Sequence, residues 1–281
     1  MFDVITAPLI YGFMQRGLAA AILVGIVCSV IGCYIVLRGM AFLGDAMAHA
    51  ILPGVAVAYL LRGNLLVGAL AAAILVALGI GTLTRGSSIK EDTAIGILFA
   101  ASLALGVAMI SSLQSYATDL SHILFGNILG VSNQDLLLCG ILGAAVLVVV
   151  VMLYKEFLLV AFDPVLAATL RLPAGAINAL LLVLIAVTVV ISLQTVGVGL
   201  VTALLVTPAA TARLITRRLG TMMLLSAAFG VISAVVGLYF SYYVNIASGP
   251  AIVLTATAIF LLVFLFAPAK GVLPRMLRRL R

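Results

Sequence analysis

Charged side chains are scarce in this sequence: 8% of its 281 residues are Asp, Glu, Lys or Arg, against 65% hydrophobic. Soluble globular domains carry about 25% charged residues. A water-soluble fold is therefore excluded, and no large extramembrane domain fits between the apolar runs. An active site outside the membrane is not expected. Histidine is nearly absent, with His49 and His122 the two present. The three cysteines, Cys28, Cys33 and Cys139, sit in apolar runs with neither CxxC spacing nor a histidine beside them. They read as small buried hydrophobes and not as a disulfide or metal cluster. No GxxxxGK[ST] motif is present, so no P-loop nucleotide site belongs to this chain. HExxH is missing too, which leaves an intramembrane metalloenzyme without its ligand set. No basic segment precedes the first apolar run, so no cleavable signal is expected.

What the chain does have is long apolar runs. They are continuous and not alternating, which rules against a β-barrel. The expected fold class is an all-α polytopic membrane protein with about eight to nine transmembrane helices, at about 20 apolar residues per crossing. Spans are expected at 17–37, 42–61, 65–83, 93–113, 135–153, 176–195, 198–214, 221–243 and 250–267, in a single transmembrane domain over 1–281. Many of the 26 glycines fall inside these runs, Gly25, Gly32, Gly68, Gly106 and Gly230 among them. Small residues let membrane helices approach closely, so a tightly packed bundle is expected.

Orientation follows from where the net charge of +7 is placed. Arg275, Arg278, Arg279 and Arg281 crowd the C-terminus, which the positive-inside rule puts in the cytoplasm. Anionic lipid headgroups, and not nucleic acid, are the expected partner of that tail. Counting back, Arg213–Arg218, Lys155–Arg171 and Arg85–Lys90 are cytoplasmic as well. The outer stretches Gln114–Gln134 and Asn245–Pro250 contain no Lys or Arg. The N-terminus then lies outside, or Met1–Gln15 forms an interfacial helix.

One apolar run carries an acid and a base. In Phe42–Val55, FLGDAMAHAILPGV, Asp45 and His49 are four residues apart, hence on one face of a helix one turn from each other. A carboxylate oxygen and an imidazole nitrogen so placed can share a divalent cation, and Mn²⁺, Fe²⁺ or Zn²⁺ suits that pairing. Water, backbone carbonyls or a symmetry mate would complete the shell. An incomplete shell suits an ion in transit, which must leave again. The bland alternative is an aspartate capping the helix start and a histidine bonded to a nearby carbonyl. Ionisable residues at membrane depth are functional by default. Pro53 and Gly54 follow, able to free a carbonyl and admit a neighbouring helix.

Four further polar stretches stand out. In Arg85–Thr93, Glu91 and Asp92 favour the dipole of the following helix and Asp92 or Thr93 caps it; a cytoplasmic contact is the second reading. In Tyr116–Asn133, Asp119 and His122 are three apart, in a surface or re-entrant helix or at a metal-binding mouth. In the segment 155–175, Asp163 reads as an N-cap with Pro164 at the first helical position. A short helix Pro164–Leu172 would follow, its Val165, Leu166 and Leu170 covered by the bundle or by a soluble partner's groove. Gln194–Arg213 holds a glycine-rich break and Pro208. It is either a kinked packing helix or a gate whose Thr195, Thr202 and Thr207 face a hydrated path.

Five stretches, in order, resemble the blocks of the ABC-3 family, the membrane permeases of manganese/zinc/iron ABC importers. They are LRGMAFLGDAMAHAILPGVAVAY (37–59), EDTAIGILFA (91–100), DLSHILFGNILGVS (119–132), AFDPVLAATL (161–170) and GLVTALLVTPAATARLI (199–215). The likeness runs from about residue 10 to 268, and Leu124-Phe125-Gly126-Asn127 is closer to the manganese branch than to the zinc branch.

The resemblance implies the type II importer permease fold, related to the vitamin B12 permeases, in a bacterial cytoplasmic (inner) membrane. It implies a homodimer joined to two cytoplasmic ATP-binding subunits and fed by an extracytoplasmic metal-binding protein. Asp45 and His49 match the family's pore ligands in type and spacing. The family's coupling helix falls on Asp163–Leu172, with Asp163, Pro164, Leu166, Ala167 and Leu170 meeting the ATPase. ATP would be bound and hydrolysed on the partner, so this chain is not expected to be an enzyme. Its cargo would be Mn²⁺, or Zn²⁺ or Fe²⁺, with no permanently bound cofactor. A secondary transporter driven by an ion gradient is the reading from another class. Such proteins often show inverted repeats; no convincing repeat is visible, and the Asp-Pro helix has no role in that scheme.

Overall fold

The computed structural model describes residues 8–85, 89–111 and 128–267. Asp119, His122, the Leu124–Asn127 block and the arginine-rich C-terminus lie outside the described residues. Helices α1 (Gly12–Arg38), α2 (Leu43–Ala50), α3 (Leu52–Leu60), α4 (Leu65–Thr84) and α5 (Glu91–Ser111) make up the first half. The second half holds α6 (Asn133–Met152), α7 (Tyr154–Phe162), α8 (Pro164–Thr169) and α9 (Ala174–Val196), then α10 (Val198–Ile215), α11 (Leu219–Val244) and α12 (Ser248–Phe266). Taking α2 and α3 together, nine segments among the described residues are long and apolar enough to cross a membrane. The expected all-α polytopic class holds.

Side chains at the helix ends explain several boundaries. Ser132 and Asp135 form a capping box at the start of α6, satisfying backbone N–H groups that the first turn leaves without partners. Asn64 Oδ1 accepts from the Leu66 N–H at 2.9 Å before α4. Asp163 Oδ1 accepts from the Leu166 N–H at 2.8 Å before α8. That helix ends at Thr169 and not at Leu172 as the sequence suggested. Arg171 takes a left-handed conformation (φ 58°), and the Leu172 N–H reaches back to the Ala167 carbonyl at 3.0 Å, which is the Schellman way of closing a helix. A second expectation also changes. Helix α5 begins at Glu91, so Asp92 and Thr93 lie within its first turn and do not cap it.

Helices α1 and α9 form the central posts, about two-thirds buried, while α5 and α12 are largely peripheral. Helix α1 packs against α6, α9, α10 and α11, and α9 also packs against α2, α4, α7 and α8. Close approach rests on small residues, because between lipid-embedded helices packing and hydrogen bonds must supply what the hydrophobic effect does not. At the α1–α11 crossing a Cβ on Gly25 would sit 3.2 Å from the Gly230 carbonyl oxygen, and Ser226 Oγ donates to the Ser29 carbonyl at 2.9 Å. At the α3–α4 crossing, Gly54 and Gly68 face each other so closely that a Cβ on either would strike the other's carbonyl.

Candidate metal site and its surroundings

The apolar run at 42–61 crosses as two short helices and not as one. The break falls at Ile51, between α2 and α3. Pro53 has no N–H to offer the carbonyl four residues back, that of His49, and its ring crowds the same place. The joint is then sealed from both sides: Gly54 meets Gly68 of α4, and Gly106 of α5 lies against Leu52 and Pro53. A proline one turn beyond His49 thus ends the helix at Ala50, and glycines let two neighbours clamp the break.

Asp45 and His49 stand on one face of α2, with His49 Nε2 3.9 Å from Asp45 Oδ1. That separation is beyond a hydrogen bond. Two ligands on one small divalent ion stand about 3.0–3.5 Å apart for bond lengths near 2.1 Å, so a modest closing of either side chain would bring both atoms onto a cation. Neither side chain hydrogen-bonds to backbone among the described residues, which removes the capping alternative. Their side chains are 41% and 30% exposed on the protomer. His49 borders a cavity of about 680 Å³ whose other walls include Val198, Gly199, Gly249, Pro250 and Val253. The Phe99 ring of α5 lies edge-on to the imidazole, centroids 6.1 Å apart. No third His, Cys, Asp or Glu joins the pair among the described residues.

The gate reading of Gln194–Arg213 is modified. Gly197, at φ 82°, joins α9 directly to α10. Thr195 is buried and donates to the Ser192 carbonyl at 2.9 Å. Thr202 donates to the Gly199 carbonyl at 3.1 Å. Both hydroxyls are satisfied within the chain's own backbone, while Gly199 itself borders the cavity beside His49.

At the end of the bundle that carries α7 and α8, Leu166 and Leu170 are 46% and 59% exposed, whereas Ala167 is fully buried. The bundle covers the alanine face of α8 and leaves the leucines uncovered. Ala167 therefore sets how closely α8 sits on the bundle and offers nothing outward.

Sequence reasoning passed over two polar links. Arg38, Glu91 and Asn178 converge from α1, α5 and α9. Gln194 Nε2 of α9 donates to Asp135 Oδ1 of α6 at 3.3 Å. The signal was present: Asn178 and Gln194 are polar amides near the two ends of a long run without charge, and an amide withdrawn from water needs a partner.

Comparison with known proteins bears on all of this. Residues 10–267 match the family model described as the ABC 3 transport family. The manganese transport system membrane protein MntC of Halalkalibacterium halodurans is 49% identical over 265 residues, 94% of this chain and 91% of the relative. A probable iron transport system membrane protein of Haemophilus influenzae is 39% identical over 95% of this chain and 98% of its own length. Among solved structures, PsaBC from Streptococcus pneumoniae in complex with Fab aligns with a TM-score of 0.84 at 41% identity, over 99% of both chains. The broken α2–α3 helix, the Asp/His pair and the outlying α8 therefore lie in a chain that belongs to the ABC 3 transport family.

Proposed function

We propose that this chain is the membrane-spanning permease subunit of an ATP-driven importer of Mn²⁺, a single transmembrane domain in which Asp45 and His49 hold the ion transiently. The carrying observation is the Asp45–His49 pair, 3.9 Å apart and accessible on the protomer, inside a chain of which 94% is similar to a manganese transport membrane protein. A half-exposed carboxylate would be costly against hydrocarbon. A second copy of the chain facing it across a hydrated path, as the family resemblance implies, removes that cost and adds ligands. Fe²⁺ is the second cargo reading, favoured by the similarity to the Haemophilus influenzae protein.

ATP binding and hydrolysis take place on two cytoplasmic partner subunits. The outward leucines Leu166 and Leu170 of the α8 segment are the docking face, Asp163 caps that helix, Pro164 starts it and Ala167 seats it. Metal arrives on an extracytoplasmic binding protein, and the C-terminus lies in the cytoplasm of a bacterial inner membrane. The test is uptake by proteoliposomes holding this chain with its ATPase partner and binding protein, offered Mn²⁺, Fe²⁺ and Zn²⁺ separately. ATP-dependent Mn²⁺ accumulation is expected. Asp45→Ala abolishes it while insertion and assembly persist; uptake at the original rate in that variant refutes the site.

A further inference from the structure

A polar cluster lies where the ends of α1, α5 and α9 meet. Arg38, the last residue of α1, donates through Nη2 to Glu91 Oε1 at 2.5 Å and through Nη1 to Asn178 Oδ1. Asn178 Nδ2 closes the triangle, donating to the same Glu91 oxygen at 3.2 Å. The Arg38 and Glu91 side chains are 11% and 25% exposed. A pair withdrawn from water to this degree contributes little net stability, yet is strongly unfavourable to break from one side. What it does well is hold helix ends in one register.

Each member leads to a different working part. Arg38 is followed by Gly39, at φ 75°, and residues 39–42 then lead straight into α2 with its Asp45 and His49. Glu91 opens α5, whose Phe99 ring touches both Phe42 and His49, with centroids 5.5 and 6.1 Å apart. Asn178 stands in the second turn of α9, which follows α8 through residues 170–173 and packs against it. The cluster is thus the polar joint at which the docking segment, the α2 helix and its aromatic neighbour meet.

Resting on the importer reading above, we propose that Arg38, Glu91 and Asn178 are positioning residues that couple displacement of α8 to the geometry of the Asp45–His49 pair. When α8 shifts, the start of α9 moves with it. Asn178 then carries Arg38 and Glu91, and α2 and Phe99 follow through the short 39–42 link and through α5. Because Arg38 and Asn178 both donate to the same Glu91 oxygen, the helix ends move together or separate together.

The test uses the complete complex in proteoliposomes and measures Mn²⁺ ions accumulated per ATP hydrolysed. Asn178→Ala leaves the ion pair in place and removes its tether to α9; Arg38→Met breaks the pair. Both are expected to lower the ratio about tenfold, within the usual range of coupling energies, while ATP hydrolysis and Mn²⁺ binding to the solubilised complex stay near wild type. Arg38→Lys keeps one charged contact and restores part of the ratio. A wild-type ratio in Asn178→Ala and Arg38→Met overturns the proposal. So does a fall of ATP hydrolysis in step with uptake in Asn178→Ala, which keeps the ion pair, because that marks a purely structural role; the lower melting temperature expected of Arg38→Met does not bear on the ratio. Should the wild-type complex hydrolyse ATP and move no metal at all, the importer reading itself fails, an outcome distinct from a coupled wild type with coupled variants.

Discussion

Asp45 and His49, the pair proposed to hold the ion, have the looseness that transit requires and a storage site lacks. With 3.9 Å between Nε2 and Oδ1, neither group is locked to the other, and no third acidic, thiol or imidazole ligand is at hand among the described residues. On the importer reading, coordination by two loosely held ligands favours release. His49→Ala is expected to weaken Mn²⁺ binding at least about tenfold, the effect of losing even supporting groups around a metal; it also leaves the Phe99 ring without the imidazole it packs on. Isothermal titration of the solubilised complex reads this directly. The Arg38–Glu91 pair obeys a different rule. Arg38→Met strands a largely shielded carboxylate, at a cost below the about 3–5 kcal/mol of a fully buried pair, whereas Arg38→Met/Glu91→Met removes both charges and recovers most of that loss. Thermal unfolding in detergent of the two single variants and the double variant separates these cases.

At the scale of elements, α8 and the α3–α4 crossing carry the sharpest expectations. Helix α8 is only Pro164–Thr169, too short to persist without its Asp163 cap, its Schellman closure and the seat that buries Ala167. Leu166→Asp together with Leu170→Asp is expected to abolish co-purification of the ATPase while the melting temperature is unchanged, since both leucines face outward. Asp163→Ala removes a capping bond worth about 1 kcal/mol and weakens the same association without removing the leucines. Gly68→Val acts otherwise. Its Cβ meets the Gly54 carbonyl and the Ala58 Cβ, so α3 and α4 must separate, costing about 1–3 kcal/mol or more. The variant is expected to melt earlier and to lose the seal at the α2–α3 break, which uptake assays report as lost transport.

For the whole molecule, the distribution of burial indicates what surrounds it. Helices α1 and α9 are enclosed, whereas α5 and α12 face outward, and the cavity beside His49 opens between α10 and α12, at Gly199, Pro250 and Leu254. In a membrane, that opening meets lipid or a second copy. The two-copy arrangement predicts that Leu254→Cys, on a residue 61% exposed, cross-links to a dimer-sized band under mild oxidation in native membranes. The background is clean, because Cys28, Cys33 and Cys139 are all buried. A monomer band under conditions that cross-link a control pair would remove the second copy from this face.

Much of this was legible in the residues, for a physical reason. Lipid forbids unpaired backbone, so long apolar runs can only be helices, and composition alone determined an all-α membrane bundle. Spacing four apart put Asp45 and His49 on one face because the helix repeat is local, and Asp163 before Pro164 announced a short capped helix in the same way. Tertiary structure alone decided the rest. Whether a proline breaks or merely bends its helix depends on what packs against the break, here Gly68 and Gly106. Which side of α8 faces the bundle depends on its neighbours and not on its six residues. The convergence of Arg38, Glu91 and Asn178 joins positions far apart in the chain. No local periodicity encodes such a meeting; it exists only once α1, α5 and α9 are brought side by side.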